Sequence, residues 1–159
     1  MARLQKITPF LWFDHQAEQA VAFYLSVFPN AEAGPMIRCG EAGPGPKGSV
    51  LTASFTLEGL SFTALNGGPY HTFTEAVSFV VHCTTQAEVD HYWEKLGDGG
   101  RYDQCSWLKD KFGLSWQIVP DRLMELLGDP DGAKAGRVMQ AMMQMNKIDI
   151  AALEHAAAG

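Results

Sequence analysis

The feature that most constrains this chain is an internal repeat. Pro9-Phe10-Leu11-Trp12-Phe13 is an apolar run, followed by a helical pattern that ends Phe23-Tyr24-Leu25-Ser26-Val27. Further on, Ser78-Phe79-Val80-Val81-His82 precedes a helical pattern that ends Tyr92-Trp93-Glu94-Lys95-Leu96. Both halves close alike, with Gly59-Leu60-Ser61-Phe62 in one and Gly113-Leu114-Ser115-Trp116 in the other. A strand–helix–strands unit present twice calls for a fold of paired modules. Two copies are too few for a solenoid, so the modules must bury their faces against each other. The expected class is α+β: two paired βαβββ modules forming a curved mixed sheet with a cleft, plus C-terminal helices. The expectation is one domain over 1–159, with module one at about 6–68, module two at about 76–120 and a helical extension at about 121–157.

Composition narrows the partners. The 159 residues carry a formal net charge of −6, which argues against nucleic acid and against an anionic membrane surface. No apolar run approaches the roughly 20 residues of a membrane helix. Met1-Ala2-Arg3-Leu4-Gln5-Lys6 lacks the apolar core of a signal peptide. Cys39, Cys83 and Cys105 are odd in number without CxxC spacing, and read as reduced thiols in a cytoplasmic protein.

Strands are expected over 7–13, 31–39, 49–57 and 60–66, the last two joined at Glu58-Gly59. Asp14 is the expected cap of the first helix, whose stripe is Ala17, Ala20, Val21, Tyr24 and Phe28. Gly40 to Gly48 is too rich in glycine and proline for a helix or central strand and reads as a mobile hairpin loop. In the second half, Thr85-Gln86-Ala87-Glu88 is a capping box ahead of the stripe Val89, Tyr92, Trp93 and Leu96. Short strands are expected around 101–103 and 106–109, and a longer one over 114–119. Three helices follow, one of them Met-rich over 133–145 and the last capped by Asp149.

Side chains alternate across a strand. Matching Phe10 and Trp12 to Phe79 and Val81 puts these four on one apolar face with Phe62, Ala64, Trp116 and Ile118, under the helices. The opposite face then holds Leu11, Phe13, Thr63, Leu65, Ser78, Val80, His82 and Gln117. Its mixture of apolar walls and a few hydrogen-bonding groups suits a small-molecule cleft.

At this point the residues resemble a family. The βαβββ repeat is similar to the vicinal-oxygen-chelate superfamily of glyoxalases, bleomycin and fosfomycin resistance proteins and extradiol dioxygenases. Within it the chain resembles the PhnB-like group, often labelled demethylubiquinone methyltransferase-like. The residues that carry this are Ile7-Thr8-Pro9-Phe10-Leu11-Trp12-Phe13, Tyr92-Trp93-Glu94-Lys95-Leu96 and, most specifically, Cys105-Ser106-Trp107-Leu108-Lys109-Asp110-Lys111-Phe112-Gly113-Leu114-Ser115-Trp116-Gln117. The resemblance continues through Arg137 to Leu153. In the metal enzymes of the superfamily, His and Glu on the first and last strands of each module hold one divalent ion. Aligning those strands puts the ligand positions at Pro9, Thr63, Ser78 and Gln117, none of which is His, Asp, Glu or Cys.

The resemblance and the mixed face together imply a cytoplasmic homodimer that binds a small organic molecule. No catalytic metal or other cofactor is expected. Gln117, Thr63, Ser78 and His82 are the polar candidates, and Leu11, Phe13, Leu65, Val80 and Trp107 the apolar walls. Three readings stay open beside it. One is a divalent-metal lyase, isomerase or dioxygenase whose ligands include His15, Glu75 or His82. Another is the methyltransferase of the family label. That label finds no support in the residues, because the densest glycine cluster, Gly43 to Gly48, joins two strands rather than a strand and a helix. The last is an interaction module working through the Met-rich helices. Tyr70 and Trp107 are candidates to stack on a planar ligand. His71 is a loop candidate for the cleft mouth, and Cys105 a thiol near Lys109 and Lys111.

Overall fold

Apolar alternation and turn residues set the elements in the order the repeat requires. The computed structural model describes residues 5–159, so Met1–Leu4, part of the segment read above for a signal peptide, lie outside the described residues. The chain divides into two compact units, one ending at Thr72 and the other spanning Phe73–Gly159.

The first unit contains β1 (Phe10–Phe13), α1 (Ala17–Val27), β2 (Ala31–Arg38), β3 (Val50–Leu57) and β4 (Leu60–Asn66). They form a mixed sheet in the order β1-β4-β3-β2, with β1 parallel to β4 and the other pairs antiparallel. β3 and β4 join through Glu58 and Gly59 at φ 48° and 83°, the left-handed pair a two-residue hairpin needs. Helix α1 buries Ala17, Ala20, Val21, Tyr24 and Val27. Tyr24 stacks on Phe55, and Phe55 on Phe62, with ring centroids 5.9 and 5.1 Å apart.

Asp14 does not cap α1. The helix start has no local side-chain cap. The Ala17 N–H instead donates to Oδ1 of Asn66, at 2.8 Å, from the end of β4. The amide nitrogen of Asn66 donates to Glu18 and to the Val50 carbonyl, so one side chain ties α1 to β3 and β4. The Gly/Pro loop between β2 and β3 is tied down by the Lys47–Glu41 ion pair, and Gly48 N–H donates to the Cys39 carbonyl.

The second unit repeats the plan with β5 (Ser78–Cys83), α2 (Gln86–Gly97), β6 (Arg101–Tyr102), β7 (Trp107–Lys109) and β8 (Ser115–Pro120), in the order β5-β8-β7-β6. Thr85 caps α2 by accepting from the Glu88 N–H, while the Glu88 carboxylate takes the Thr84 hydroxyl. The buried stripe of α2 is Val89, Tyr92, Trp93 and Leu96.

Three helices complete this unit: α3 (Asp121–Leu127), α4 (Gly132–Met142) and α5 (Ile150–Ala158). Asp149 caps α5 as expected. Leu123, Leu126, Val138, Ile148, Leu153 and Ala157 bury together with Val119 of β8, with Met142 and Met145 packed against them. Among the described residues no helix is long and apolar enough to cross a membrane.

The pairing of β1 corrects one expectation. Leu11 lies opposite Ala64, and Phe10 opposite Thr63. Leu11 and Phe13 therefore share the buried face with Phe62 and Ala64, and they are 5% and 3% exposed. Phe10 and Trp12 share the other face with Thr63 and Leu65, and Phe10 is 58% exposed. The repeat aligns Leu11 with Val81, one residue away from the Phe10–Phe79 match that looks best by eye. A one-residue slip turns every side chain of a strand over.

Candidate functional site

The face of the second sheet turned away from α2 is a small grid. Val80, Gln117 and Trp107 lie side by side across β5, β8 and β7. One pleat along, Ser78, Ser115 and Lys109 form the next row, and Arg101 of β6 extends it. Gln117 Nε2 donates diagonally to Ser78 Oγ at 2.9 Å, which fixes the amide between an indole and an isopropyl group. Ser115 is fully buried, and its hydroxyl has no hydrogen-bond partner among the described residues. A buried hydroxyl left in this way costs about 1–3 kcal/mol unless a water or a ligand group meets it.

The Lys109 end of the row is an ion network. Glu75 lies 2.6 Å from Lys109 and 3.1 Å from Arg101, and Arg101 also grips Asp103. The Lys109 hydrogen bond, with help from Arg101, holds the Glu75 carboxyl down at about 2. Glu75 is thus a carboxylate committed to two cations.

His82 shares the open face but lies opposite Val119, one pleat beyond Gln117. Its ring is 3.8 Å from the carboxylate of Asp121, the first residue of α3, and both side chains are well exposed. In the first unit the corresponding face carries Phe10, Thr63 and Ser54 in one row and Trp12, Leu65, Thr52 and Ile37 in the next. Leu11 and Phe13 are not part of it, because of the β1 register. Trp12, which the sequence places under the helix, replaces them as an apolar wall. Its indole N–H donates to the Gly68 carbonyl, and His71 meets its ring edge-on at 4.7 Å. His15 sits in the β1–α1 turn, 3.6 Å from Asp14.

Cys105 and Ser106 carry left-handed backbone at φ 58° and 77°, with their N–H groups bonded to the carbonyls of Met145 and Asn146. That strained pair gives a structural account of part of the Cys105–Gln117 signature. Asp110 accounts for more of it. Its buried carboxylate accepts from the N–H groups of Phe112 and Leu114 and from the Trp116 indole.

A family model described as 3-demethylubiquinone-9 3-methyltransferase matches residues 5–119. The chain belongs to that PhnB-like family. A PhnB protein from Bacillus cereus is 40% identical over 73% of this chain and 99% of its own, with a TM-score of 0.66. Protein PA1353 from Pseudomonas aeruginosa is 19% identical over 74% of this chain and 98% of its own, with a TM-score of 0.61. The fosfomycin resistance protein FosX from Listeria monocytogenes is 18% identical over 81% of this chain and 99% of its own, with a TM-score of 0.57. The last two show the fold alone. No curated protein matches.

The strand register also moves one of the positions at which superfamily enzymes hold a metal. In line with Ser78, the first-unit position is Thr8 rather than Pro9. This PhnB-like chain therefore offers Thr8 and Thr63 in one unit, and Ser78 and Gln117 in the other. These are neutral hydroxyl and amide oxygens, weak donors to a divalent ion. Among the described residues no group of three or more His, Cys, Asp or Glu is placed to hold one. The donor set at these positions does not fit the ion.

Proposed function

We propose that this PhnB-like protein binds a small organic molecule on the open faces of its sheets, with hydroxyl and amide groups in place of a metal ion as the polar contacts. The observation that supports the reading best is Gln117, held by Ser78 and set between Trp107 and Val80. An amide fixed beside an aromatic plane gives one directional contact and one stacking surface, the pattern of small-molecule sites. Binding without methyl transfer is the reading we adopt, because the densest glycine cluster, Gly43 to Gly48, joins β2 and β3 rather than a strand and a helix.

A homodimer belongs to the same proposal. Phe10 and Ile37, on the two edge strands of the first sheet, are 58% and 61% exposed on its open face, an apolar surface that a second copy would cover. A reducing compartment such as the cytoplasm suits three free cysteines.

The test is a thermal-shift screen of aromatic and heteroaromatic small molecules, run beside elemental analysis of protein incubated with Mn²⁺, Ni²⁺, Zn²⁺ and Fe²⁺. We expect a ligand whose stabilisation falls in Gln117→Leu, and no ion retained near one per chain. Retention of one equivalent of metal would replace this reading with a metal-dependent enzyme. A ligand indifferent to Gln117→Leu would move the site elsewhere.

A further inference from the structure

The first unit contains a cavity of about 440 Å³ at its strand ends. None of the open-face residues described above lines it. One wall is acidic, with Asp14 from the β1–α1 turn and Glu18 from the first turn of α1. Glu18 does not swing freely, because Asn66 Nδ2 donates to its carboxylate at 2.8 Å. The other wall is basic. Arg38 ends β2, and one of its N–H groups donates to the Gly48 carbonyl at 3.0 Å. The rest of its donors have no partner among the described residues.

These walls come from the two edges of the sheet. β1 and β2 are separated by β4 and β3, so their backbones stand three strand spacings apart, about 14 Å. Side chains reaching inward from the two edges place opposite charges on opposite walls of the cavity. Asn66 and Gly67 lie between them. This segment is fixed: Gly67 and Gly68 donate to the carbonyls of Phe13 and Asp14, and Gly68 accepts from the Trp12 indole. At the rim stand Tyr70, 77% exposed, and the Pro44–Pro46 segment of the β2–β3 loop.

We propose that this cavity binds a dipolar small molecule, amino-acid-like, with an ammonium group toward Asp14 and Glu18 and a carboxylate toward Arg38. A simple anion would meet two carboxylates, and a simple amine would leave the guanidinium unmatched. Only a ligand that carries both charges satisfies both walls. Partial enclosure screens these contacts less than open water does.

The test uses the full-length protein and ¹⁵N–¹H spectra, titrated separately with 6-aminohexanoate, hexylamine and hexanoate. The zwitterion is expected to shift the amides of Gly45, Ser49, Gly67 and Gly68 saturably. The two singly charged analogues are expected to bind about tenfold more weakly, each having lost one charge-assisted contact. Arg38→Gln should lower the zwitterion's affinity to that of hexylamine. Should Arg38→Gln disturb the loop through its Gly48 contact, Asp14→Asn in the exposed turn serves instead and should lower the affinity toward that of hexanoate. Absence of saturable shifts at these amides, or equal affinity for all three compounds, overturns the proposal.

Discussion

The indole N–H of Trp116 donates to Oδ2 of Asp110 at 2.9 Å, inside the second unit. The other oxygen of the same carboxylate takes the N–H groups of Phe112 and Leu114. One buried acid thus shapes the turn between β7 and β8 and pins the largest side chain of β8. Asp110→Ala removes an acceptor from three donors and should cost about 3 kcal/mol or more. Asp110→Asn keeps an acceptor and should cost less. Urea unfolding measures both, and a loss below about 1 kcal/mol for the alanine variant would remove Asp110 from this role.

Ser115 behaves in the opposite way. Its hydroxyl is buried with no partner among the described residues, so Ser115→Ala should leave the ligand-free protein unchanged or stabilise it by up to about 1 kcal/mol. Destabilisation by more than that, again by urea unfolding, would show that an ordered water already satisfies the group.

Gly67 has no room for a side chain, because a Cβ there would overlap the Trp12 indole. Gly67→Ala should cost about 2 kcal/mol and alter tryptophan fluorescence as the ring is displaced. Wild-type stability and an unchanged emission maximum would contradict the packing.

The Glu75 network predicts an acid response. The carboxyl sits at about 2 in the folded chain, below its ordinary value of 4.5. Its contribution to stability is therefore complete above the ordinary value and is lost as pH falls through the folded one. The melting temperature should drop more steeply across this window in the wild type than in Glu75→Gln, and added salt should shrink the difference because the pair is exposed. Parallel curves at low salt would contradict the ion pair.

Cys83 should be chemically silent. Burial, aided by the charges of Glu88 and Asp121, pushes its thiol up to about 12. Under native conditions, mass-mapped alkylation should label half-buried Cys105 before Cys83 or buried Cys39. Early labelling of Cys83 would show that its strand opens readily.

The repeat made the architecture legible, because Gly59-Leu60-Ser61-Phe62 and Gly113-Leu114-Ser115-Trp116 fixed the closing strands without ambiguity. The second unit's open face was legible too, since Ser78 and Gln117 are polar markers among apolar neighbours. The first strand was not. Pro9 through Phe13 are all apolar, so alternation carries no sign of which side is buried, and only pairing with β4 decides it. Asn66 was beyond reach for another reason. Its partner Ala17 is 49 residues away, and a cap supplied by the fold leaves no local pattern. The same holds for Arg38 and Asp14, which only the sheet brings to opposite ends of one cavity.

Asn66 is followed by Gly67, the neighbour that least hinders a backbone nitrogen from attacking a side-chain amide and releasing ammonia. In the fold that nitrogen is occupied, its hydrogen given to the Phe13 carbonyl at 2.8 Å. Loss of the Asn66 amide is therefore tied to opening of the β1–β4 edge. A molecule that opens long enough to lose its amide returns with a second carboxylate facing Glu18 and no donor for Val50. The altered molecule has lost two of the contacts that closed these strand ends, so it opens more readily than the intact one.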